Sequence, residues 1–107
     1  MKKNRDFRTV YQNGKSMGSH RLVLYVLANG TERNRVGISV SKKVGNSVVR
    51  HHLTRLVRES YRLHEQEFDD GLDLVWIVRP RAKESNFFQI ESAMMYLAGK
   101  AHVLKKV

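Results

Sequence analysis

Arg35-Val-Gly-Ile-Ser-Val-Ser-Lys-Lys-Val-Gly-Asn-Ser-Val-Val-Arg-His-His-Leu-Thr-Arg-Leu-Val-Arg58 changes its hydrophobic period halfway along. In the first part Val36, Ile38 and Val40 alternate with Arg35, Gly37, Ser39 and Ser41, the period of two expected of a strand with one buried face. Past Gly45, with Asn46 and Ser47 as caps, Val49, Leu53, Leu56 and Val57 recur at intervals of three and four, as on a helix with one apolar face. At about 100° per residue, Arg50, His51, Thr54, Arg55, Arg58 and Arg62 then share an arc of about 140° on the opposite side. A strand that passes through two lysines into a cationic helix is the unit around which the rest of the chain is arranged.

Upstream, Leu22, Leu24, Val26 and Ala28 repeat at every second residue, so Arg21 to Ala28 reads as a strand. Asn29-Gly30-Thr31 then turns the chain, and the two strands are expected to pair as a hairpin. Tyr25 faces away from Leu24 and Val26, and in that hairpin it would share its face with Gly37, Ser39 and Ser41, a shallow floor without bulky neighbours. Before it, Asn4 or Asp6 can cap a short helix carrying Phe7, Val10 and Tyr11, which Asn13-Gly14 stops. Downstream, Leu72 to Val78 is a dense apolar run, the pattern of a central or near-central strand, and Arg79-Pro80 ends it. Ser85 or Asn86 can cap a last helix with Phe87, Ile90, Met94, Leu97, Ala98 and Ala101 inward. The expected fold class is α+β. It comprises a single domain over 1–107, with a mostly antiparallel sheet of about four strands in the order α-β-β-(β)-α-β-α, helices on one face and the other face free.

The 107 residues carry 20 Lys plus Arg against 10 Asp plus Glu, a formal charge of +10. So much like charge in one small core, with 41% hydrophobic residues, calls for a polyanionic partner, nucleic acid before acidic membrane. No cysteine is present, which excludes disulfides, thiolate nucleophiles and Cys-type metal sites and fits a reducing compartment. The apolar runs are far short of the roughly 20 residues of a membrane span, and the basic N-terminus leads into no apolar signal region, so a cytoplasmic location is expected. Glu65, Glu67, Asp69, Asp70 and Asp73 crowd half the acids into one stretch. That stretch is either an acidic end held away from the partner or a plain solvated loop.

Catalytic motifs are missing: no phosphate-binding loop, no His-Glu-x-x-His and no Gly-x-Ser-x-Gly. His51 and His52 are neighbours on a helix and diverge by about 100°, unsuited to chelating one metal. His20, His64 and His102 have no paired carboxylate spacing and read as structural or exposed. No catalytic or metal-ligating residue is therefore expected on this chain. Binding groups are more evident. Lys42, Lys43 and Asn46 lie at a helix start, where free amide hydrogens and the dipole favour phosphate. The arginine row beyond it is interrupted by only one acid, Glu59, and suits an RNA backbone. For Phe7 and Tyr11 the spacing leaves two uses open, core filling and stacking on bases.

The ordered run from Arg35 to Arg50, continuing Leu53-Thr-Arg-Leu-Val-Arg-Glu59, resembles the signature of the protein subunit of bacterial ribonuclease P. Lys2-Lys3-Asn4, Asp6-Phe7, Gly14-Lys15-Ser16 and Leu22 to Tyr25 resemble the same family, and the likeness weakens only after Pro80. The resemblance implies an RNA subunit that cuts the 5′ leader from precursor tRNA with Mg2+ held mainly by the RNA. It also implies a small protein, monomeric in a one-to-one complex, that binds both the catalytic RNA and the leader. By position, Phe7, Tyr11 and Tyr25 look like the aromatics of the leader cleft, with Ser39 on the same face. Lys42, Lys43, Asn46, Arg50, Arg55 and Arg58 look like the basic signature, and Arg62 prolongs their row. A left-handed βαβ crossover around the long helix is likewise implied. Two positions depart from the pattern: Arg-Asn-Arg reads Arg50-His51-His52, and a common Lys reads Thr54. His51 is therefore a weaker candidate RNA ligand than Arg50, which carries a fixed charge. The rival readings are a ribosome-associated or general RNA-binding module without an enzyme partner, and a self-sufficient nuclease, for which the chain lacks the acid/base residues.

Overall fold

The computed structural model describes Met1 and residues 3–106; Lys2, part of the upstream resemblance, and Val107 lie outside the described residues. In chain order the elements are α1 (Asn4–Asn13), β1 (Lys15–Gly18), β2 (Leu22–Ala28), β3 (Arg35–Val40), α2 (Ser47–His64), β4 (Leu72–Val78) and α3 (Phe87–Lys100), with 3-10 turns at Glu65–Glu67 and Pro80–Ala82. This is the α+β order expected, with Lys15–Gly18 as the additional strand. Asn46 caps α2 by accepting a hydrogen bond from the Val49 amide (3.0 Å), and Asn86 with Gln89 forms a capping box on α3. On α1, however, the cap position is Lys3, and neither Asn4 nor Asp6 caps it with a side chain.

The sheet runs β1-β2-β4-β3, antiparallel except for the parallel pair β3 and β4. The expected hairpin between β2 and β3 is therefore wrong, because β4 lies between them. Leu74, Val75 and Trp76 are fully buried, and only the central position covers both faces and both edges of so apolar a run. The 29–34 loop makes room for it. Asn29 forms a turn through Thr31 (amide 2.9 Å, hydroxyl 2.7 Å), while the Asn34 side chain donates to the Asp69 carbonyl (2.8 Å) and accepts from the Leu72 amide (2.8 Å). The loop thus wraps around the start of β4. Gly71, at φ +77°, passes so close to the Thr31 carbonyl that a side chain has no room.

Leu24, Trp76 and Ile38 stand in one row across the sheet, on the face that receives Leu53, Leu56, Val57 and Tyr61 of α2 and Ile90, Met94 and Leu97 of α3. The neighbouring row, Tyr25, Val75 and Gly37, points the other way, and that face is not free as expected. α1 lies on it. Val10 is fully buried there, the Phe7 ring sits over Gly37 and Tyr11 meets Tyr25. The apolar stripe of a short helix needs cover, and this side of β2 and β4 supplies it.

Candidate nucleic-acid interface

α1 divides the second face of the sheet in two. On one side Asp73, its side chain only 3% exposed, sits across from Arg35 in the β3–β4 register. Arg35 grips it with both arms of the guanidinium, Nε to Oδ1 at 2.8 Å and Nη2 to Oδ2 at 2.6 Å, and Asn29 adds a bond to Oδ1 at 3.0 Å. The arginine's third nitrogen lies 3.6 Å from Asp6 of α1, so the pair ties the helix to the sheet. Hydrogen bonding from Arg35 holds the Asp73 carboxyl below its ordinary range. Arg35 is thereby committed inside the protein. Sequence reasoning missed this tie, and its one signal was a lone aspartate within the apolar run Leu72–Val78.

The other side of α1 is open. Asn4, Phe7, Arg8, Tyr11, Ile38 and Ser39 bound a shallow groove of about 440 Å³. A Cβ on Gly37 would come within 2.7 Å of the Phe7 ring, so the glycine is what lets the tip of this ring approach the strand so closely. Phe7 is thus half buried, and its two possible uses are combined: it fills space over Gly37 and offers an edge to the groove. Tyr11, at 38% exposure, is the most accessible of the three rings. It stands 6.3 Å from Phe7 and 5.0 Å, edge-on, from Tyr25. Tyr25 therefore does have a bulky neighbour, contrary to the bare floor expected around it.

Across β3 lies the cationic helix. Arg50 and His51 bound one cleft with Ile38, Val40, Ser47 and Thr54, while Arg58 and Arg62 bound the next with Val36, Ile38, Asn34 and Glu65. Ile38 touches all three depressions, so β3, an edge strand, is the ridge on which the aromatic groove and the arginine row meet. Lys42 and Lys43 are exposed in the turn pinned by buried Val44, next to Asn46 at the start of α2. Arg55 is exposed and bounds neither cleft. Among the described residues no carboxylate lies within ion-pair distance of Lys42, Lys43, Arg50, Arg55, Arg58 or Arg62. The Arg50 Nε is buried and has no hydrogen-bond partner there. Uncompensated guanidinium groups along one edge form a surface built for polyanions.

The acidic stretch is spent partly within the protein. His64, read from sequence as lacking a carboxylate partner, contacts Glu67 at 2.5 Å and Glu91 at 2.9 Å, and these bonds raise its pKa. Asp70 lies 3.8 Å from Lys105, and Glu65 borders the cleft of Arg58 and Arg62, so the acids are not all held away from the basic edge. No group of three or more His, Asp or Glu among the described residues is arranged to hold a metal ion, and no helix there is long and apolar enough to cross a membrane.

A four-stranded α+β domain with a ring-lined groove and an arginine helix meeting at one sheet edge defines a small basic RNA-binding protein. Residues 1–102 match the family model described as Ribonuclease P. A ribonuclease P protein component from Alkaliphilus metalliredigens is 50% identical over 97% of this chain and 94% of its own length, and one from Lachnoclostridium phytofermentans is 52% identical over 92% and 84%. A solved structure of the Staphylococcus aureus RNase P protein superposes with a TM-score of 0.91 at 34% identity, covering 98% of this chain and 96% of the other. The chain belongs to the ribonuclease P protein component family, the accessory protein of an RNA-containing endonuclease.

Proposed function

We propose that this protein, one RNA-binding domain over 1–107, holds two RNAs at once in a one-to-one assembly in the cytoplasm: the catalytic RNA along α2, and the single-stranded 5′ leader of precursor tRNA in the groove beside α1. The observation that carries this reading is the meeting of groove and arginine row at β3. Lys42, Lys43, Asn46, Arg50, His51, Arg55, Arg58 and Arg62 meet phosphates of the catalytic RNA, with contact to the substrate leader near Arg50. Phe7, Tyr11, Tyr25 and Ser39 form the leader cleft, in which bases stack on Tyr11 and the edge of Phe7 while Arg8 meets the backbone.

The chain moves no proton and cuts no bond in this scheme. Among the described residues no group of three or more His, Asp or Glu could hold a metal ion, and in this reading the magnesium ions of the reaction are held mainly by the RNA. What the protein contributes is affinity. Each phosphate neutralised releases counterions, and log affinity falls against log salt with a slope of about −0.7 to −0.9 per contact. Reducing phosphate repulsion where leader and catalytic RNA converge lowers the magnesium concentration the assembly needs. The test is reconstitution with a bacterial ribonuclease P RNA at low Mg2+, using precursors with and without an extended leader. The expected result is restored cleavage and a preference for the leader-bearing precursor. Equal processing with and without the protein across the magnesium range would overturn the proposal.

A further inference from the structure

The two most exposed aromatic rings among the described residues belong neither to the groove nor to the basic edge. Phe88, 73% exposed, and Tyr96, 58% exposed, stand on the outer side of α3 with Ser92 midway between them. At this spacing the three follow one ridge of the helix surface, about 12 Å from end to end along the axis. Phe87 meets the Phe88 ring edge-on at 5.6 Å and steadies it without covering it. Lys100 prolongs the ridge and holds its ammonium 5.6 Å from the centre of the Tyr96 ring. Alongside runs a depression of about 500 Å³ whose opposite wall is the β1–β2 turn, Ser19, His20 and Arg21. Arg21 Nε donates to the Ser85 hydroxyl at 2.9 Å, just ahead of α3, which fixes the guanidinium on that wall. α3 packs over β1 and β2 on the sheet face opposite α1, so the sheet separates this depression from the groove at Tyr11.

The charges and spacing around the rings select the occupant. No carboxylate lines the depression, and among the described residues none lies within ion-pair distance of His20, Arg21 or Lys100. Ser92 and Gln89 separate the rings, so they do not merge into the continuous apolar stripe that an amphipathic partner helix would cover. Each ring instead offers a face of its own beside a hydroxyl or a cation, the combination that a base and its phosphate require. We propose that the Phe88–Tyr96 ridge of α3 is a second binding site for the catalytic RNA, taking an unpaired segment of it. One base stacks on each ring, one nucleotide passes over Ser92, and Arg21 and Lys100 meet the phosphates. This rests on the reading that the catalytic RNA lies along α2. α3 packs against α2, so an unpaired segment of the same molecule reaches the ridge at a higher effective concentration than any separate RNA. The groove at Tyr11 shares no residue with the site.

Two measurements on the full chain test it: binding of a bacterial ribonuclease P RNA, and an amide chemical-shift titration of the isotope-labelled protein with an oligouridylate. The oligouridylate is expected to move the Ser92 and Tyr96 amides saturably. Phe88→Leu, which keeps the apolar bulk and loses the stacking face, is expected to weaken that titration and the binding of the catalytic RNA about fivefold each. Its salt slope should stay that of wild type, whereas Lys100→Gln should make the slope shallower by about 0.7. Tyr96→Phe, which keeps the ring, should bind within about twofold of wild type. Tyr96→Leu repeats the test at the other ring if Phe88→Leu lowers the thermal midpoint by disturbing Phe87. No saturable shift at Ser92 and Tyr96, or an oligoglutamate of equal length moving them as tightly, overturns the RNA site. Catalytic-RNA binding unchanged by both leucine variants, while Arg58→Ala still weakens it, overturns the catalytic RNA as the occupant. If Arg58→Ala also leaves that binding and its salt slope unchanged, the α2 reading falls and this assignment with it.

Discussion

The Arg35–Asp73 pair should be costly to break in a markedly unequal way. The aspartate is the buried partner, its side chain 3% exposed, whereas the arginine is 47% exposed. Arg35→Met strands a carboxylate among β4 neighbours with only the Asn29 bond left to it. Removing one member of a buried pair costs about 3–5 kcal/mol, and the lower end applies here because Asn29 remains. Asp73→Asn leaves a cation that can reach water and still accepts a bond at Oδ1, so about 1–2 kcal/mol is expected. Replacing both, Arg35→Met with Asp73→Leu, should recover much of the loss. Urea unfolding followed by circular dichroism measures all three. The pH dependence provides a second check. In the wild type the Asp73 pKa is lowered, so its contribution is present above the unfolded carboxylate range and is lost as pH falls through the folded value. Without Arg35 the carboxyl is buried and unpaired and its pKa is raised, so that variant gains relative stability as pH falls and the gap to wild type narrows. Equal costs for the two single variants, or a gap that widens in acid, would refute the reasoning.

Gly37→Ala puts a methyl within 2.7 Å of the Phe7 ring; because a ring tip can yield, the expected cost is about 1 kcal/mol by thermal unfolding, with weaker leader binding, and Phe7→Leu in the same chain should relieve it. His64, its pKa raised by Glu91 and Glu67, contributes stability that is full below pH 6.5 and lost as pH rises through its folded value; unfolding midpoints between neutral and alkaline pH should show that loss, and His64→Gln should remove it. Arg58→Ala and Arg62→Ala should each make the salt dependence of catalytic-RNA binding shallower by about 0.7–0.9, measured by filter binding, with the folded state intact.

The periods of two and of three to four carried β2, β3, the long helix and its cationic side straight from sequence into structure, because each depends only on neighbours along the chain, whereas Lys15–Gly18 shows no such period. Strand order does not. Asn29-Gly30 marks where β2 stops, but the six-residue loop it opens comes back one strand further over, and the contacts that decide this, Asn34 with Asp69 and Leu72, join residues more than 30 apart. The face covered by α1 was hidden for the same reason: Phe7, Val10 and Tyr11 announce an apolar stripe without naming its cover, and the clue was Gly37, a strand position with no side chain. The basic edge was legible residue by residue, apart from the divergence of Arg55 at the limit of the arc and the capture of Arg35 by Asp73.

The strand order also bears on how the chain is made. β3 finds its sheet partner only in β4, and β2 has on that side no other, so a nascent chain still short of Leu72 holds at most the small β1–β2 pair. The sheet closes when the last of its strands leaves the ribosome, and folding waits on contacts distant in sequence. Until then the lysines and arginines of the first two-thirds of the polypeptide hang as a loose polycation beside ribosomal RNA. A fast-emerging β4 is thus a safeguard against premature attachment, and synonymous codons that slow translation between Tyr61 and Val78 should lower the yield of active protein.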